Sequence, residues 1–233
     1  MKGYIAGKPL LSTTDWPSTV SCAIFFAGCN LRCRFCFNAP ILEFDEKFLT
    51  EISNVYAEIE AHLFLIEGVI ATGGEPTLQP NTLFSLAEWT HQKDLRFGLM
   101  TNGTNPQIIR KLIQDNLLDY VAVDIKTVPQ PEAYAHITQK KKDVLSLVQE
   151  TVSLLKTTKI SYEFRTTLIP NLIDDFEQIQ QIAEWVGTDN YVLQIFRNVE
   201  TVVDDQLHQC EFTTKQLSRI REFARTAGIN IRF

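Results

Sequence analysis

The chain alternates between short apolar segments of strand length and longer segments with a helical period. The strand-like segments are continuous apolar runs, which is typical of strands that are covered on both faces. Units of strand followed by helix, repeated along a chain, form a parallel sheet flanked by helices. The predicted strands are 20–27, 68–72, 96–101, 120–125, 160–168 and 191–196, with a short extra strand at 229–233. The predicted helices are 45–62, 81–89, one that opens at Pro106, 144–156, 174–186 and 213–227.

The number of these units and the chain length together predict an open barrel. A closed eight-stranded α/β barrel takes about 250 residues, whereas this chain has 233 residues and six predicted units. We therefore expect an α/β fold, a partial open (β/α)6 barrel of parallel strands. No repeat or linker divides the sequence, so residues 1–233 are expected to form a single domain. Such a domain buries enough apolar surface to fold without disulfide bonds.

Residues with useful chemistry follow the predicted strands. Active sites of parallel α/β sheets lie where the strands end, because the carboxyl ends of neighbouring strands share one edge. Each motif alone also has a structural explanation, since Gly-Gly and Thr-Asn-Gly are common turn sequences. Their joint placement favours a site. The residues are the cysteine-rich segment 28–38, Gly73, Gly74, Glu75, Thr101, Asp124 and Lys126, with Arg165 in the fifth strand and Arg197 after the sixth.

Three cysteines, Cys29, Cys33 and Cys36, are spaced as Cys-x3-Cys-x2-Cys, and no fourth cysteine is near them in the sequence. Soft thiolates suit iron–sulfur clusters and zinc alike. Structural zinc prefers four protein ligands, whereas three cysteines on a [4Fe–4S] cluster would leave one iron open. The alternatives are buried reduced cysteines, or a zinc loop completed by a distant histidine. Cys22 and Cys210 are isolated and are expected to pack as small apolar residues.

Charge and hydropathy exclude several classes of function. The formal net charge is −6, and nucleic-acid binding needs clustered positive charge, so no nucleic-acid partner is expected. The basic run at 140–142 is expected to be a solvated surface segment. No apolar stretch is long enough for a transmembrane helix or a secretory signal, which predicts a cytoplasmic protein without a membrane partner.

The motifs resemble those of the radical S-adenosylmethionine (SAM) superfamily. Its hallmark is this three-cysteine spacing with an aromatic residue, here Phe35, before the third cysteine, combined with a Gly-Gly-Glu-Pro turn, here 73–76. More narrowly, the chain looks like the activating enzymes of glycyl radical enzymes, and among them the anaerobic ribonucleoside-triphosphate reductase activating proteins. Further segments that carry the likeness are 15–17 (DWP), 28–33 (GCNLRC), Asn38, 101–103 (TNG), 124–126 (DIK) and 193–197 (LQIFR).

The resemblance implies an anaerobic oxidoreductase that uses one [4Fe–4S] cluster per chain and SAM. In that family, flavodoxin or ferredoxin supplies one electron to the cluster, and SAM is cleaved to methionine and a 5′-deoxyadenosyl radical. The radical removes hydrogen from a glycine of the partner, here expected to be anaerobic ribonucleoside-triphosphate reductase. Two other functions stay open: a radical SAM enzyme acting on a small molecule or peptide, and a non-enzymatic iron–sulfur or zinc binding module.

The resemblance also implies roles for the residues of the cysteine segment. Cys29, Cys33 and Cys36 would be the ligands of the cluster. Phe35 would lie beside the adenine of SAM, with its backbone facing the base. Lys126 would pair with the carboxylate of the methionine part, as a compact positive charge.

Other roles fall on residues after the later strands. Gly73 and Gly74 would allow the backbone to approach the methionine, because neither carries a Cβ. Glu75 would orient that turn or the methionine amino group. Thr101 and Asp124 would line the SAM pocket. The remaining candidates, for contacts with the carboxylate or the ribose, are Arg165 and Arg197.

Overall fold

The computed structural model describes residues 1–140 and 144–232; positions 141 and 142 of the basic run, and Phe233 of the predicted last strand, lie outside them. The strands are β1 Lys2–Tyr4, β2 Leu10–Ser12, β3 Ser21–Phe26, β4 Leu49–Glu51, β5 Gly68–Gly73, β6 Arg96–Thr101, β7 Tyr120–Asp124, β8 Ser161–Leu168, β9 Tyr191–Ile195 and β10 Asn230–Arg232. The helices are α1 Ile52–Glu60, α2 Pro80–Gln92, α3 Pro106–Gln114, α4 Pro131–Thr138, α5 Val144–Lys156, α6 Phe176–Val186 and α7 Thr214–Ala227.

Eight of the strands in the described part of the chain form one sheet, in the order β10-β9-β8-β7-β6-β5-β3-β2. From β3 to β10 all neighbours are parallel, whereas β2 is antiparallel to β3. Separately, β1 pairs antiparallel with β4. Within residues 1–140 and 144–232, β2 and β10 are the ends of the order and do not pair with each other. The predicted α/β fold with an open, mainly parallel sheet is confirmed.

The predicted strands appear close to their expected limits, and the short last strand forms β10, paired with β9. The predicted helix 45–62 is shorter, because its first part makes a 3-10 turn and then β4. That strand exists through its pairing with β1, in which Lys2 faces Glu51. A pairing between distant segments leaves no local period in the sequence, and this explains why β1 and β4 were not predicted.

Helix starts are better marked in the sequence than strand pairings. Pro106 opens α3, as predicted from the preference of proline for the first helical turn. Thr213 caps α7 in a capping box with Gln216, in which each side chain binds the backbone N–H of the other residue. One helix, α4, was not predicted, and it lies beside the cysteine segment.

The two faces of the sheet differ in what covers them. One face packs against the helices in the main apolar core, in which Ile24, Val69 and Leu99 have no exposed surface. The opposite face carries a smaller cluster that includes Ala23 and Ile70. Because both faces are covered, the strands are continuous apolar runs.

Trp16 fills the inside of the curved sheet. Its ring stacks on the ring of Tyr120, with centroids 5.1 Å apart and planes 14° apart. A Cβ added at Gly68 or at Gly98 would lie 2.9 Å from the Trp16 ring, so both positions must be glycine for this packing. Trp16 therefore closes the interior of the barrel near the amino ends of β5 and β7.

Charged residues surround this tryptophan in a hydrogen-bonded group. Arg165, 1% exposed, donates to the carbonyl of Asp15 at 2.6 Å, to the hydroxyl of Tyr120 at 2.7 Å and to Glu163 at 3.0 Å. Glu163 also accepts from Arg232 at 3.0 Å and from the Tyr120 hydroxyl at 2.9 Å. We call Trp16, Tyr120, Glu163, Arg165 and Arg232 the interior network.

Candidate functional site

The three spaced cysteines lie on a loop directly after β3. Cys33 is buried, and Cys29 and Cys36 are half-buried. Burial raises the pKa of the Cys29 thiol to about 11 and that of Cys33 to about 12, and it also raises the pKa of Cys36. The charge of Lys126 lowers the pKa of all three. The loop therefore gathers thiols in an enclosed place next to a cation that favours their thiolate forms.

The unpredicted helix α4 holds one side of this loop. The backbone N–H of Arg32 donates to the carbonyl of Thr138 at 3.0 Å, and that of Arg34 donates to Ile137 at 3.1 Å. These are carbonyls of the last turn of α4, which have no partner within their helix. The end of one element thus fixes the backbone between the first and third cysteines.

A segment from the far end of the chain holds the other side. The N–H of Val203 donates to the carbonyl of Cys36 at 3.0 Å, and that of Asp204 donates to the carbonyl of Arg34 at 2.9 Å. The Arg34 guanidinium forms an ion pair with Asp204 at 2.7 Å and contacts His136 at 2.6 Å. The cysteine loop is therefore fixed by elements more than 100 residues away in the sequence.

The Gly-Gly turn at the end of β5 packs tightly on the end of β3. Gly73 has a φ of +107°, and a Cβ there would lie 2.6 Å from the Phe26 carbonyl oxygen. A Cβ on Gly74 would lie 2.2 Å from the Gly28 carbonyl oxygen. Asn38, at the end of the cysteine loop, donates to the carbonyl of Gly73 at 2.9 Å. The contact between the two strand ends thus requires glycine at both positions, independently of any contact with SAM.

Glu75 links this turn to the Thr-Asn-Gly turn after β6. Its carboxylate accepts from the Thr101 hydroxyl at 2.8 Å, from the N–H of Asn102 at 2.7 Å and from the N–H of Thr77 at 3.1 Å. Burial raises the pKa of Glu75, while these donors act in the opposite direction. The carboxylate of Glu75 thus joins the two turns by hydrogen bonds.

Lys126 lies beside the cysteine loop. Its ammonium is 2.8 Å from the Asp124 carboxylate and 5.4 Å from the centre of the Phe35 ring. Burial opposes its charge, but Asp124, Cys33 and Cys36 outweigh that effect and hold the pKa of Lys126 above its ordinary value. A fixed cation therefore lies between a carboxylate and the thiols.

Of the two arginine candidates, Arg165 lies opposite Asp124 in the pairing of β7 with β8, and the charge of Asp124 acts on it. The guanidinium of Arg165 belongs to the interior network, where its partners are protein groups. Arg197 is exposed and follows the end of β9. The structure thus brings together the candidates from β3, β5, β6 and β7, which are neighbours in the sheet.

Asn102 belongs to the Thr-Asn-Gly motif, for which the sequence predicts no separate role of this side chain. The structure places its side-chain nitrogen 3.9 Å from the sulfur of Cys29. The Thr-Asn-Gly motif was the sequence signal that could have identified Asn102 as a site residue. Arg34 and Asp204 were also missed, and no sequence signal joins them because they are 170 residues apart.

The donor set fits an iron–sulfur cluster. In the described residues, no group of three His, Cys, Asp or Glu side chains is arranged to hold a single metal ion. An iron–sulfur cluster does not require the three thiols to converge on one metal ion, because each cysteine binds a different iron. The three thiols and the nearby cation suit such a negatively charged group. Cys22 has no exposed surface, and burial raises the pKa of its thiol to about 11, as expected for a packing residue.

Comparison with known families agrees with this chemistry. The family model for the radical SAM superfamily matches residues 23–186, a range that includes the cysteine loop and the strands that carry the site. The chain belongs to the radical SAM superfamily. Within it, the chain is a radical SAM enzyme of the glycyl-radical-enzyme activating family. The superfamily uses a [4Fe–4S] cluster and SAM, which confirms the cofactors expected from the sequence.

Two relatives and one solved structure illustrate the similarity. A protein of Methanocaldococcus jannaschii named as a glycyl-radical enzyme activating enzyme is 30% identical over 198 residues, 84% of this chain and 81% of that protein. The pyruvate formate-lyase-activating enzyme of Listeria monocytogenes is 28% identical over 204 residues, 83% of this chain and 79% of its own. A radical SAM methyltransferase from Sphaerobacter thermophilus shares the fold, with a TM-score of 0.69 and 12% identity over 99% of this chain and 76% of that one.

None of the helices in the described residues has both the length and the apolar composition that crossing a membrane requires.

Proposed function

We propose that this protein generates a glycyl radical on a partner enzyme, using a [4Fe–4S] cluster held by Cys29, Cys33 and Cys36. The observation that carries the proposal is the meeting of the cysteine loop, the Gly-Gly turn, the Thr-Asn-Gly turn and Lys126 at the carboxyl ends of four adjacent strands. A cluster bound by three cysteines keeps one iron open for a ligand. The single domain 1–233 supplies the whole site in this proposal.

The residues around the cysteines suit the two ends of SAM. Lys126 would pair with the methionine carboxylate, since its side chain is only 12% exposed and its ammonium lies beside Phe35 of the cysteine loop. Phe35 offers a buried aromatic face near that ammonium for the adenine side. In this proposal, Thr101, Asp124 and the backbone of the Gly-Gly turn would line the SAM pocket. When bound, the reduced cluster supplies the electron that cleaves SAM, and the protein contributes placement and exclusion of water.

The proposed partner is an anaerobic ribonucleoside-triphosphate reductase, and the proposed electron donor is flavodoxin or ferredoxin. Support for the reductase comes from the motifs at 28–33, 124–126 and 193–197. Pyruvate formate-lyase is the second candidate, because activating enzymes of that lyase are among the relatives.

Electron paramagnetic resonance tests this function directly. Reduced, reconstituted protein and SAM are mixed without oxygen with the reductase or with pyruvate formate-lyase from the same source. We expect a glycyl doublet with the reductase and no doublet when the Cys33→Ala variant replaces the wild type. A doublet only with the lyase would change the partner, and cleavage of SAM with a doublet on neither would reject the activating function.

The role of Lys126 is tested by the affinity for SAM. Lys126→Met removes the charge and keeps most of the side-chain volume, so we expect SAM to bind at least about tenfold more weakly, equivalent to about 1.4 kcal/mol. The matched control is Lys111→Met, because Lys111 pairs with Asp115 on an exposed helix face. Titration of the reconstituted proteins with SAM gives both affinities. Equal affinities for the two variants would remove Lys126 from the SAM site.

A further inference from the structure

The side-chain amide of Asn102 is held in one orientation by its neighbours. Its oxygen accepts from the backbone N–H of Thr104 at 3.0 Å and from the Thr104 hydroxyl at 2.7 Å. A backbone N–H is only a donor, so the atom facing it must be the amide oxygen. The NH2 group therefore points the other way, to the carbonyl oxygen of the Asn30 side chain at 2.9 Å and to the sulfur of Cys29 at 3.9 Å.

The rest of the turn keeps this amide in place. The Asn30 side chain donates to the Thr104 hydroxyl at 2.8 Å, which closes a ring of hydrogen bonds through Asn30, Asn102 and Thr104. The backbone N–H of Asn102 donates to Glu75, which is fully buried. Asn102 itself is 7% exposed. An amide fixed on both its backbone and its side chain points at one sulfur with little freedom to turn away.

Cys29 thus receives two N–H groups. The first comes from the backbone of Leu31, at 3.4 Å from the sulfur. The second comes from Asn102. Hydrogen bonds to the sulfurs of an iron–sulfur cluster are among the factors that set its reduction potential. An N–H donor stabilises negative charge on sulfur, and the reduced cluster carries one more negative charge than the oxidised one.

We propose that Asn102 is a positioning residue that raises the reduction potential of the cluster, by donating its side-chain N–H to the thiolate of Cys29. The inference rests on the proposed function in one respect, since Cys29 must be a ligand of the cluster. It gives the Thr-Asn-Gly turn a task in electron transfer to the cluster, separate from any contact with SAM.

The test is a redox titration of the reconstituted full-length protein, followed by electron paramagnetic resonance of the reduced cluster, with dithionite as the reductant. Asn102→Leu removes the donor without adding charge. We expect its potential to be more negative, with up to about a tenfold fall in the ratio of reduced to oxidised cluster at a fixed potential, equivalent to about 59 mV. Iron and sulfide are measured first to show that each variant holds the cluster.

Thr104 provides a matched pair that leaves the donor itself intact. Thr104→Val removes the hydroxyl that fixes the amide, so we expect a smaller shift to a more negative potential. Thr104→Ser keeps the hydroxyl, and its potential is expected to equal that of the wild type. A wild-type potential in Asn102→Leu with a full cluster overturns the inference. If Asn102→Leu does not retain iron, equal potentials for the two Thr104 variants overturn it.

Failure of the proposed function would look different. A Cys29→Ala variant that keeps a full cluster would show that Cys29 is not a ligand. In contrast, the cluster could require Cys29 for its retention while its reduction potential does not change in Asn102→Leu. That result would leave the proposed function intact and reject only the role of Asn102.

Discussion

The cysteine rim, by which we mean Cys29, Cys33, Cys36 and Lys126, differs in its hydrogen bonding from the interior network, although both are polar groups on the same sheet. In the interior network, Arg165, Glu163, Tyr120 and Arg232 bond to one another, and Trp16 packs against them. At the rim, the thiols of Cys29, Cys33 and Cys36 are free cysteines beside a charged lysine. The polar groups of the interior network bond to other protein groups, whereas the thiols of the cysteine rim can bind a ligand.

Buried polar residues that stabilise the fold can therefore be separated from those that serve the function. Burial alone does not distinguish Arg165 from Lys126, since both lie inside the protein. Their surroundings distinguish them: Arg165 has carboxylate, phenol and carbonyl partners, whereas Lys126 pairs with Asp124 and also lies beside the thiols of the cysteine loop. Changes in the network should therefore reduce the free energy of unfolding, and changes at the rim should reduce cofactor binding.

The largest effect is expected at the rim. Cys33→Ala should abolish iron retention and SAM cleavage, because it removes one of the proposed ligands, while the protein stays folded. Cys210→Ala is the matched control, since Cys210 lies outside the rim and its thiol contacts the Gln206 carbonyl. Iron analysis and absorption spectra after anaerobic reconstitution measure both. Full iron content in Cys33→Ala would contradict the ligand assignment.

The next largest effect is expected in the network. Arg165→Met leaves Glu163 with one fewer cation, and breaking a buried ion pair costs about 3 kcal/mol. Urea denaturation measures the loss, with Arg225→Met as control because the ion pair of Arg225 with Glu222 is exposed. The affinity of Arg165→Met for SAM tests whether Arg165 contacts the carboxylate or the ribose of SAM, as the resemblance implies. Unchanged stability with weakened SAM binding would assign Arg165 to the SAM site instead.

A smaller effect is expected on the pH dependence of stability. Burial opposes ionisation of Glu163, but hydrogen bonds and charges from Arg232 and Arg165 outweigh it and hold the pKa of Glu163 below its ordinary 4.5. A carboxyl with a lowered pKa stabilises the fold at pH values above its unfolded-state pKa. Its stabilising contribution is lost as the pH falls through the folded-state pKa. The free energy of unfolding should therefore fall more steeply below about pH 4.5 in the wild type than in Glu163→Gln. Parallel curves in urea titrations at several pH values would contradict this.

The smallest effect is expected at the support of the cysteine loop. Arg34→Gln removes the ion pair with Asp204. The Arg34 side chain is 20% exposed and that of Asp204 is 17% exposed. A partly exposed pair contributes about 1 kcal/mol, so stability should fall little. Iron loss to a chelator should become faster, because the loop is less constrained. Chelation rates equal to those of the wild type would show that the backbone bonds of Val203 and Asp204 suffice.

The sequence predicted the parts of the fold that have local signatures. Continuous apolar runs marked the strands, and Pro106 and Thr213 marked helix starts. The pairing of β1 with β4 and the helix α4 were missed, because the first depends on distant segments and the second is short.

The site was predictable to the same degree. The cysteine spacing and the turn motifs identified residues that the structure brings together, including Glu75 with Thr101. The direction of side chains was not predictable. Arg165 lies on β8, next to β7 of the site, yet its guanidinium turns into the interior network, and the Asn102 amide turns to Cys29.

Mössbauer spectroscopy of protein reconstituted with ⁵⁷Fe, before and after addition of SAM, tests whether SAM binds at one open iron of the cluster. The three cysteines should leave one iron of the cluster without a protein ligand. We predict that the signal of one iron site changes when SAM is added while the signals of the other sites stay the same. Spectra that SAM does not alter, or purified protein that holds zinc and no cluster, would contradict the account.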